Sequence, residues 1–259
     1  MVILVLSGTS EGVLLADLLQ NKGLPFVLSV ATSLGFERFK KYEIPLRVGV
    51  LELEGLIDFC RENGIKLIID ATHPFAQKVS INAIIAAKTL KISYLRYERP
   101  GTEIKSPYLY EALNLKTSLL NLNRLGLRPL ITVGVKMLPE FIKQTKINGQ
   151  KPVVKILPTS ENFKLLDQLQ VPVDDRLAFW GPGKRELMRE LINYYSLTGL
   201  LTKESGDAGG EQEKVASFLA QRLPVILIKR PRVEYPLVVS DLRELEQFLT
   251  AEVEKWKKQ

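Results

Sequence analysis

Val2-Ile3-Leu4-Val5-Leu6-Ser7-Gly8-Thr9-Ser10-Glu11-Gly12 decides the fold. An apolar run of leucine and β-branched residues stops at a glycine turn rich in hydroxyls, and an amphipathic stretch over 11–21 follows at once. A strand that feeds a helix through such a turn opens a parallel βαβ unit. Val13, Leu14, Ala16, Leu18 and Leu19 mark the helix as mostly buried, and Lys22-Gly23 supplies its stop. Gly8 permits the tight turn, while Thr9 and Ser10 offer amides and hydroxyls where a helix N-terminus attracts phosphate. The same residues also suit an ordinary helix cap.

Outward from this unit the rhythm continues. Strands are expected over 2–6, 26–30, 46–48, 66–70 and 93–96, with helices over 11–21, 53–63 and 79–90. After the turn-rich stretch from Pro100 to Pro107, a second series begins. Its strands are expected over 129–133, 153–157, 176–179, 199–202 and 225–228, and its helices over 109–124, 139–146, 160–169, 184–195 and 212–221, before a last helix from about 240 to 257. The expected class is α/β, with two doubly wound parallel-sheet domains, 1–100 and 101–259, alike in rhythm but without a visible sequence repeat.

The bulk numbers narrow the functions. At 259 residues, 46% hydrophobic and 25% charged, the chain reads as globular and able to bury sizeable cores. No apolar run approaches the roughly 20 residues that span a bilayer, and the opening residues run from strand to turn without a basic leader, so a cytoplasmic protein is expected. Cys60 is the only cysteine and His73 the only histidine, which excludes an internal disulfide and argues against a structural zinc site. A net charge of +7 invites a nucleic-acid reading, yet the basic residues are dispersed and the longest cluster, Lys255-Trp256-Lys257-Lys258, is a helix tail. A small polyanionic ligand accounts for the same charge.

In open parallel sheets ligands bind beyond the carboxyl ends of the strands, so the loops there are the candidates. After the second strand, Ala31-Thr32-Ser33-Leu34-Gly35 lacks the acid that NAD-selective sites place on the adenosine ribose. Its hydroxyls, with Arg38 close behind, favour a 2′-phosphate and hence NADPH, NADH remaining open. After the fourth strand comes Asp70-Ala71-Thr72-His73-Pro74-Phe75-Ala76, in which Pro74 biases His73 toward an extended backbone. Tyr94-Leu95-Arg96-Tyr97-Glu98-Arg99-Pro100 and Lys229-Arg230-Pro231 put cations at strand ends, suited to clamping carboxylates or to pairing with neighbouring acids. Leu201-Thr202-Lys203-Glu204-Ser205-Gly206-Asp207-Ala208-Gly209-Gly210 runs from a strand into a second anion or cofactor cradle, and Gly134-Val135-Lys136 repeats the design on a smaller scale.

Together these motifs resemble the precorrin-6A reductase family of cobalamin biosynthesis, including its cobalt-precorrin-6A members. The resemblance rests on Gly8-Thr9-Ser10-Glu11-Gly12, the Asp70–Ala76 and Tyr94–Pro100 motifs, Val133-Gly134-Val135-Lys136, Thr202-Lys203-Glu204-Ser205-Gly206 with Gly210, and Arg230-Pro231, and so covers nearly the whole chain. It implies two Rossmann-like domains with a cleft between them, possible strand exchange, and a reduced nicotinamide that delivers hydride to a double bond of a polycarboxylate macrocycle. It further implies that Gly8, Thr9, Ser10 and Glu11 hold the cofactor's phosphates and ribose, with Thr32 and Ser33 at its adenosine end. Thr72 and His73 then line the junction of cofactor and substrate, His73 being a candidate proton donor because imidazole titrates near neutrality. Lys136, Lys203, Ser205 and Gly206 are expected at proton delivery or carboxylate binding, and Arg96, Arg99 and Arg230 as clamps.

Two other readings remain. An extended Rossmann oxidoreductase of another kind would favour a Tyr-x-x-x-Lys pair on the helix after the fourth strand, and none occurs there. A nucleotide-sensing or nucleic-acid-binding module would show basic and aromatic residues interleaved, which this chain does not.

Overall fold

The hexad Val2–Ser7 forms β1 in the middle of a sheet, and alternation divides its side chains between two apolar layers. Ile3 and Val5 enter one cluster, Leu4 and Leu6 the other, and all four are buried. Cover on both faces is what an uninterrupted apolar strand requires. The computed structural model describes residues 2–8, 10–40, 42–101, 103–181, 183–206 and 210–257, with Arg38 described without its side chain.

The chain divides into two units, Met1–Pro100 with Arg232–Gln259, and Gly101–Pro231. In the first, β1 is followed by α1 (Glu11–Asn21), β2 (Phe26–Val30), α2 (Ser33–Phe39), β3 (Leu46–Val48), α3 (Leu53–Glu62), β4 (Ile65–Asp70), α4 (Gln77–Leu90) and β5 (Ser93–Tyr97). The second contains β6 (Leu109–Ala112), α5 (Leu115–Leu125), β7 (Pro129–Ile131), α6 (Leu138–Ile147), β8 (Val153–Ile156), α7 (Ser160–Gln168), β9 (Arg176–Ala178), α8 (Arg185–Tyr194), β10 (Gly199–Lys203), α9 (Glu211–Leu219) and β11 (Val225–Ile228). The chain then returns to the first unit through β12 (Val238–Val239) and α10 (Leu242–Lys257).

Both sheets are parallel, in the orders β12-β5-β4-β1-β2-β3 and β6-β11-β10-β7-β8-β9. The two orders are the same doubly wound pattern with the last strand exchanged. β6 follows β5 in the chain yet pairs with β11, while β12 follows β11 and pairs with β5. Residues 232–259, expected in one domain with 101–231, belong to the first unit. Main-chain bonds from Arg96 N–H to Leu237 and from Glu98 N–H to Val239, at 2.9 and 3.0 Å, tie the returning chain to β5. Leu245 and Leu249 of α10 are buried in the same cluster as Ile3 and Val5.

Residues 109–124, expected as one helix, form β6 and α5. The break lies at Asn114, whose side chain accepts from Thr117 N–H at 2.9 Å while Thr117 Oγ1 accepts from Asn114 N–H at 3.2 Å, a reciprocal cap that starts the helix only at Leu115. α2, absent from the expected elements, is capped in the same manner by Thr32, which accepts from Gly35 N–H at 3.1 Å. Cys60 lies in the cluster with Leu4 and Leu6, where burial pushes its thiol up to about 11 and removes it from nucleophilic chemistry near neutrality. Among the described residues no helix is long and apolar enough to cross a membrane.

Candidate functional site

The turn after β1 carries the first group of candidates. Ser7 is buried at the strand end, and its Oγ has no hydrogen-bond partner among the described residues. Beside it, a Cβ added to Gly8 meets nothing within 4 Å, whereas one added to Gly12 lands 1.7 Å from Ser7 Oγ and 2.9 Å from Phe39. Gly12, not Gly8, is therefore the glycine that close packing of α1 on the strand demands; Gly8 faces open space. Ser10 has helical dihedrals at the start of α1 and donates to Glu11 at 3.2 Å rather than capping the helix, so first-turn amides of α1 have no side-chain cap from it. Thr9 lies outside the described residues. At the neighbouring strand end, Thr32 and Ser33 are exposed, and the Thr32 hydroxyl serves as the cap of α2.

At the end of β4 the Asp70–Ala76 and Tyr94–Pro100 motifs prove to be one network. Strand register sets Asp70 opposite Arg96 on β5, and Tyr94, two residues away, shares the Arg96 face. Asp70 is fully buried and accepts from Tyr94 OH at 2.9 Å, Arg96 at 2.9 Å, Thr72 N–H at 3.0 Å and Thr72 Oγ1 at 2.7 Å. Arg96 pairs on its other side with Glu98 at 2.6 Å, and its guanidinium lies 5.2 Å from the Tyr235 ring centroid, contributed by the returning chain. Burial opposes the Arg96 charge, but Asp70 and Glu98 more than offset it and hold the group above its usual range. Burial first, and then the Asp70 carboxylate, pushes the Tyr94 phenol well above its usual value, so that it stays a hydrogen-bond donor.

From this base the His73 loop projects. Thr72 is pinned by Asp70, and the next four residues form a turn closed by Ala76 N–H to the His73 carbonyl at 2.7 Å. His73 is exposed, and its Nδ1 accepts from Phe75 N–H at 3.2 Å. The neutral ring thus carries its proton on Nε2. Arg99 is exposed at the end of the same segment.

In the second unit, Thr132 donates its N–H to Leu201 at 2.9 Å and its hydroxyl lies 2.9 Å from that of Thr202, joining the loop after β7 to β10. These ties set Lys136 close enough to Lys203 for their charges to interact. Burial, with Lys136 adding repulsion, lowers the Lys203 amine to about 8. Beyond Lys203 the chain is held by acids: Glu204 is buried and accepts from Lys229 at 2.9 Å and from the Arg230 main chain at 2.9 Å. Glu211, the first residue of α9, accepts from Gly206 N–H at 2.7 Å. Gly206, at φ +72°, takes a left-handed backbone that strains any other residue, and a Cβ there would stand 2.9 Å from the Arg230 guanidinium. Asp207, Ala208 and Gly209 lie outside the described residues.

Two expected clamps have acidic partners within the chain. Arg96 is 1% exposed and engaged by two carboxylates, so it braces the loop after β4 instead of reaching a ligand. Arg230 packs against Glu204, donating from Nε to its main-chain carbonyl at 3.3 Å. Asp70, Glu98, Tyr235, Glu204 and Glu211, which organise the two edges, had no expected role. Asp70, Tyr235 and Glu204 act on partners distant in sequence, whereas Glu98 and Glu211 act on Arg96 and Gly206 two and five residues away.

The family model described as Precorrin-6x reductase CbiJ/CobK matches residues 2–250. A cobalt-precorrin-6A reductase of Priestia megaterium is 32% identical over 248 residues, covering 94% of this chain and 96% of that protein. A precorrin-6A reductase of Rhodobacter capsulatus is 28% identical over 233 residues, with 89% and 88% covered. Among solved structures, a CobK precorrin-6A reductase shows a TM-score of 0.80 at 26% identity, with 97% of this chain and 96% of that chain covered.

Proposed function

The chain belongs to the precorrin-6x reductase CbiJ/CobK family, and we propose that it reduces one double bond of precorrin-6A, or of its cobalt form, with NADPH. The observation that carries this reading is the match over residues 2–250, which takes in every loop of both candidate edges.

The turn after β1 fits a dinucleotide. The Ser7 hydroxyl, without a partner among the described residues, the open space at Gly8 and the amino end of α1 together offer donors and room to a pyrophosphate. Ser10 and Glu11 suit its ribose hydroxyls, since a carboxylate beside phosphate alone would repel it. Thr32 and Ser33 stand where the adenosine end is expected, and the absence of an acid there favours NADPH over NADH. When bound, the reduced nicotinamide supplies the hydride, and the protein supplies position, charge balance and exclusion of water.

Asp70 and Arg96 hold Thr72 and the His73 turn in place. His73 Nε2 is the atom in this unit suited to hand a proton to the reduced macrocycle. Lys203, with an amine near 8, is largely protonated at neutral pH and serves either as the alternative proton source or as a carboxylate ligand beside Lys136. In the second unit Ser205 and Gly206 suit a carboxylate, and Arg230 positions the Glu204–Gly206 loop; in the first, Arg99 suits a carboxylate as well. This chemistry needs neither nucleic acid nor membrane and suits an enzyme of the cytoplasm.

Anaerobic absorption spectroscopy tests the reading, with purified protein, precorrin-6A or its cobalt form, and each of NADPH and NADH. The tetrapyrrole spectrum is expected to change only when protein and cofactor are both present, faster with NADPH. No cofactor-dependent change with either tetrapyrrole overturns the proposal.

A further inference from the structure

The His73 loop stands on two feet. At its start Thr72 is held by Asp70 and by Arg96, whose Nη1 donates to Thr72 Oγ1 at 3.3 Å. Past its end Ser80, on α4, is 1% exposed and donates its N–H to the Ala76 carbonyl at 3.4 Å. The hydroxyls of Thr72 and Ser80 lie 3.5 Å apart. Tyr235, three residues before β12, reaches the supports of both feet. Its ring faces the Arg96 guanidinium at 5.2 Å, and its phenol is hydrogen-bonded to Ser80. Burial outweighs the Arg96 charge and raises the phenol, which stays neutral beside Glu98.

Fastening β12 to β5 does not require a phenol. The main-chain bonds of Arg96 and Glu98 to Leu237 and Val239 already pair the strands, and an apolar side chain at 235 would fill the same place against Leu4 and Leu6. A tyrosine adds two things, an aromatic face for the guanidinium and a hydroxyl for Ser80, and both act on groups that hold the loop. We propose that Tyr235 is a positioning residue for the reaction: through Arg96 and Ser80 it keeps the two feet of the loop together and so fixes where His73 stands. The proton donor itself is the one proposed above, and the effect on rate rests on that reading.

Amide hydrogen exchange of the intact protein, followed by NMR, reads the loop without substrate. The Ala76 N–H, which closes the turn on the His73 carbonyl, is expected to exchange at least about tenfold faster in Tyr235→Leu and about threefold faster in Tyr235→Phe, which keeps the ring and loses the hydroxyl. The Arg96 and Glu98 amides, bonded to Leu237 and Val239, should stay within about threefold of wild type. Ser80→Ala should act on Ala76 as Tyr235→Phe does, and the two together should add nothing further. In single-turnover reduction of precorrin-6A at saturating NADPH, Tyr235→Leu should slow the wild type at least about tenfold but His73→Ala less than about twofold, because a displaced imidazole is the cause. Unchanged Ala76 exchange in Tyr235→Leu overturns the positioning role whether or not precorrin-6A is reduced. Equal loss of protection at Arg96 and Glu98 overturns it too, since Tyr235 would then only fasten β12, as does equal slowing in the two backgrounds.

Discussion

Asp70→Asn is the most informative single change in the first unit. The buried carboxylate accepts from four donors, and the amide keeps its shape while removing its charge and turning one acceptor into a donor. Arg96 would then be left with Glu98 as its one carboxylate partner. Breaking a buried pair from one side costs about 3–5 kcal/mol, and retention of Glu98 sets the expectation near the lower end, about 3 kcal/mol. At about 2–4 °C per kcal/mol for a protein of this size, the melting midpoint should fall by about 6–12 °C. Urea and thermal unfolding of Asp70→Asn, Arg96→Met and the double variant form a cycle. The double variant should recover at least about 1 kcal/mol relative to the sum of the singles, since it leaves no guanidinium without its partner. A loss under about 1 kcal/mol in Asp70→Asn, with no coupling to Arg96, would refute the reasoning.

The two glycines of the first turn should separate stability from binding. Gly12→Ala forces a Cβ onto Ser7 and Phe39 and should destabilise by about 1–3 kcal/mol, as overpacking does, whereas Gly8→Ala should leave the unfolding midpoint in place and raise the KM for NADPH. Lys203 titrates near 8 in the fold against 10.5 in its absence, so folding disfavours its charged form. That cost is fully present below pH 8 and is relieved as pH climbs toward 10.5; denaturation across this window should show stability rising, and Lys203→Met should flatten the rise. Activity that requires the ammonium should fall through the same midpoint, and Lys136→Met should move that midpoint upward by the lesser share, since burial is the larger cause. His73→Ala should slow single-turnover reduction by about 10²-fold or more if the imidazole delivers the proton; a wild-type rate rules that role out.

The residues that were legible are those whose neighbours in sequence are also their neighbours in space. β1 and α1 emerge from the apolar hexad and the turn that ends it, and most other elements follow the same local rhythm. β6 was hidden because Leu109, Ala112 and Leu113 also fit a helical face, and the cap at Asn114 is a backbone event. β12 is two residues long, too short for any period to register. Arg96 looked like a clamp because its acid, Asp70, is reached only through the register of β4 against β5. Gly8 and Gly12 differ only in what surrounds a missing Cβ, which the letters do not carry.

Transfer of the label from (4R)- and (4S)-[4-2H]NADPH to the tetrapyrrole, read by mass spectrometry of the product under anaerobic conditions, is the most direct trial of the proposed chemistry. One cofactor epimer should yield a product heavier by a deuterium bound to carbon, and the other an unlabelled product. An unlabelled product from both epimers, or no reduced product, would contradict direct hydride transfer by this protein.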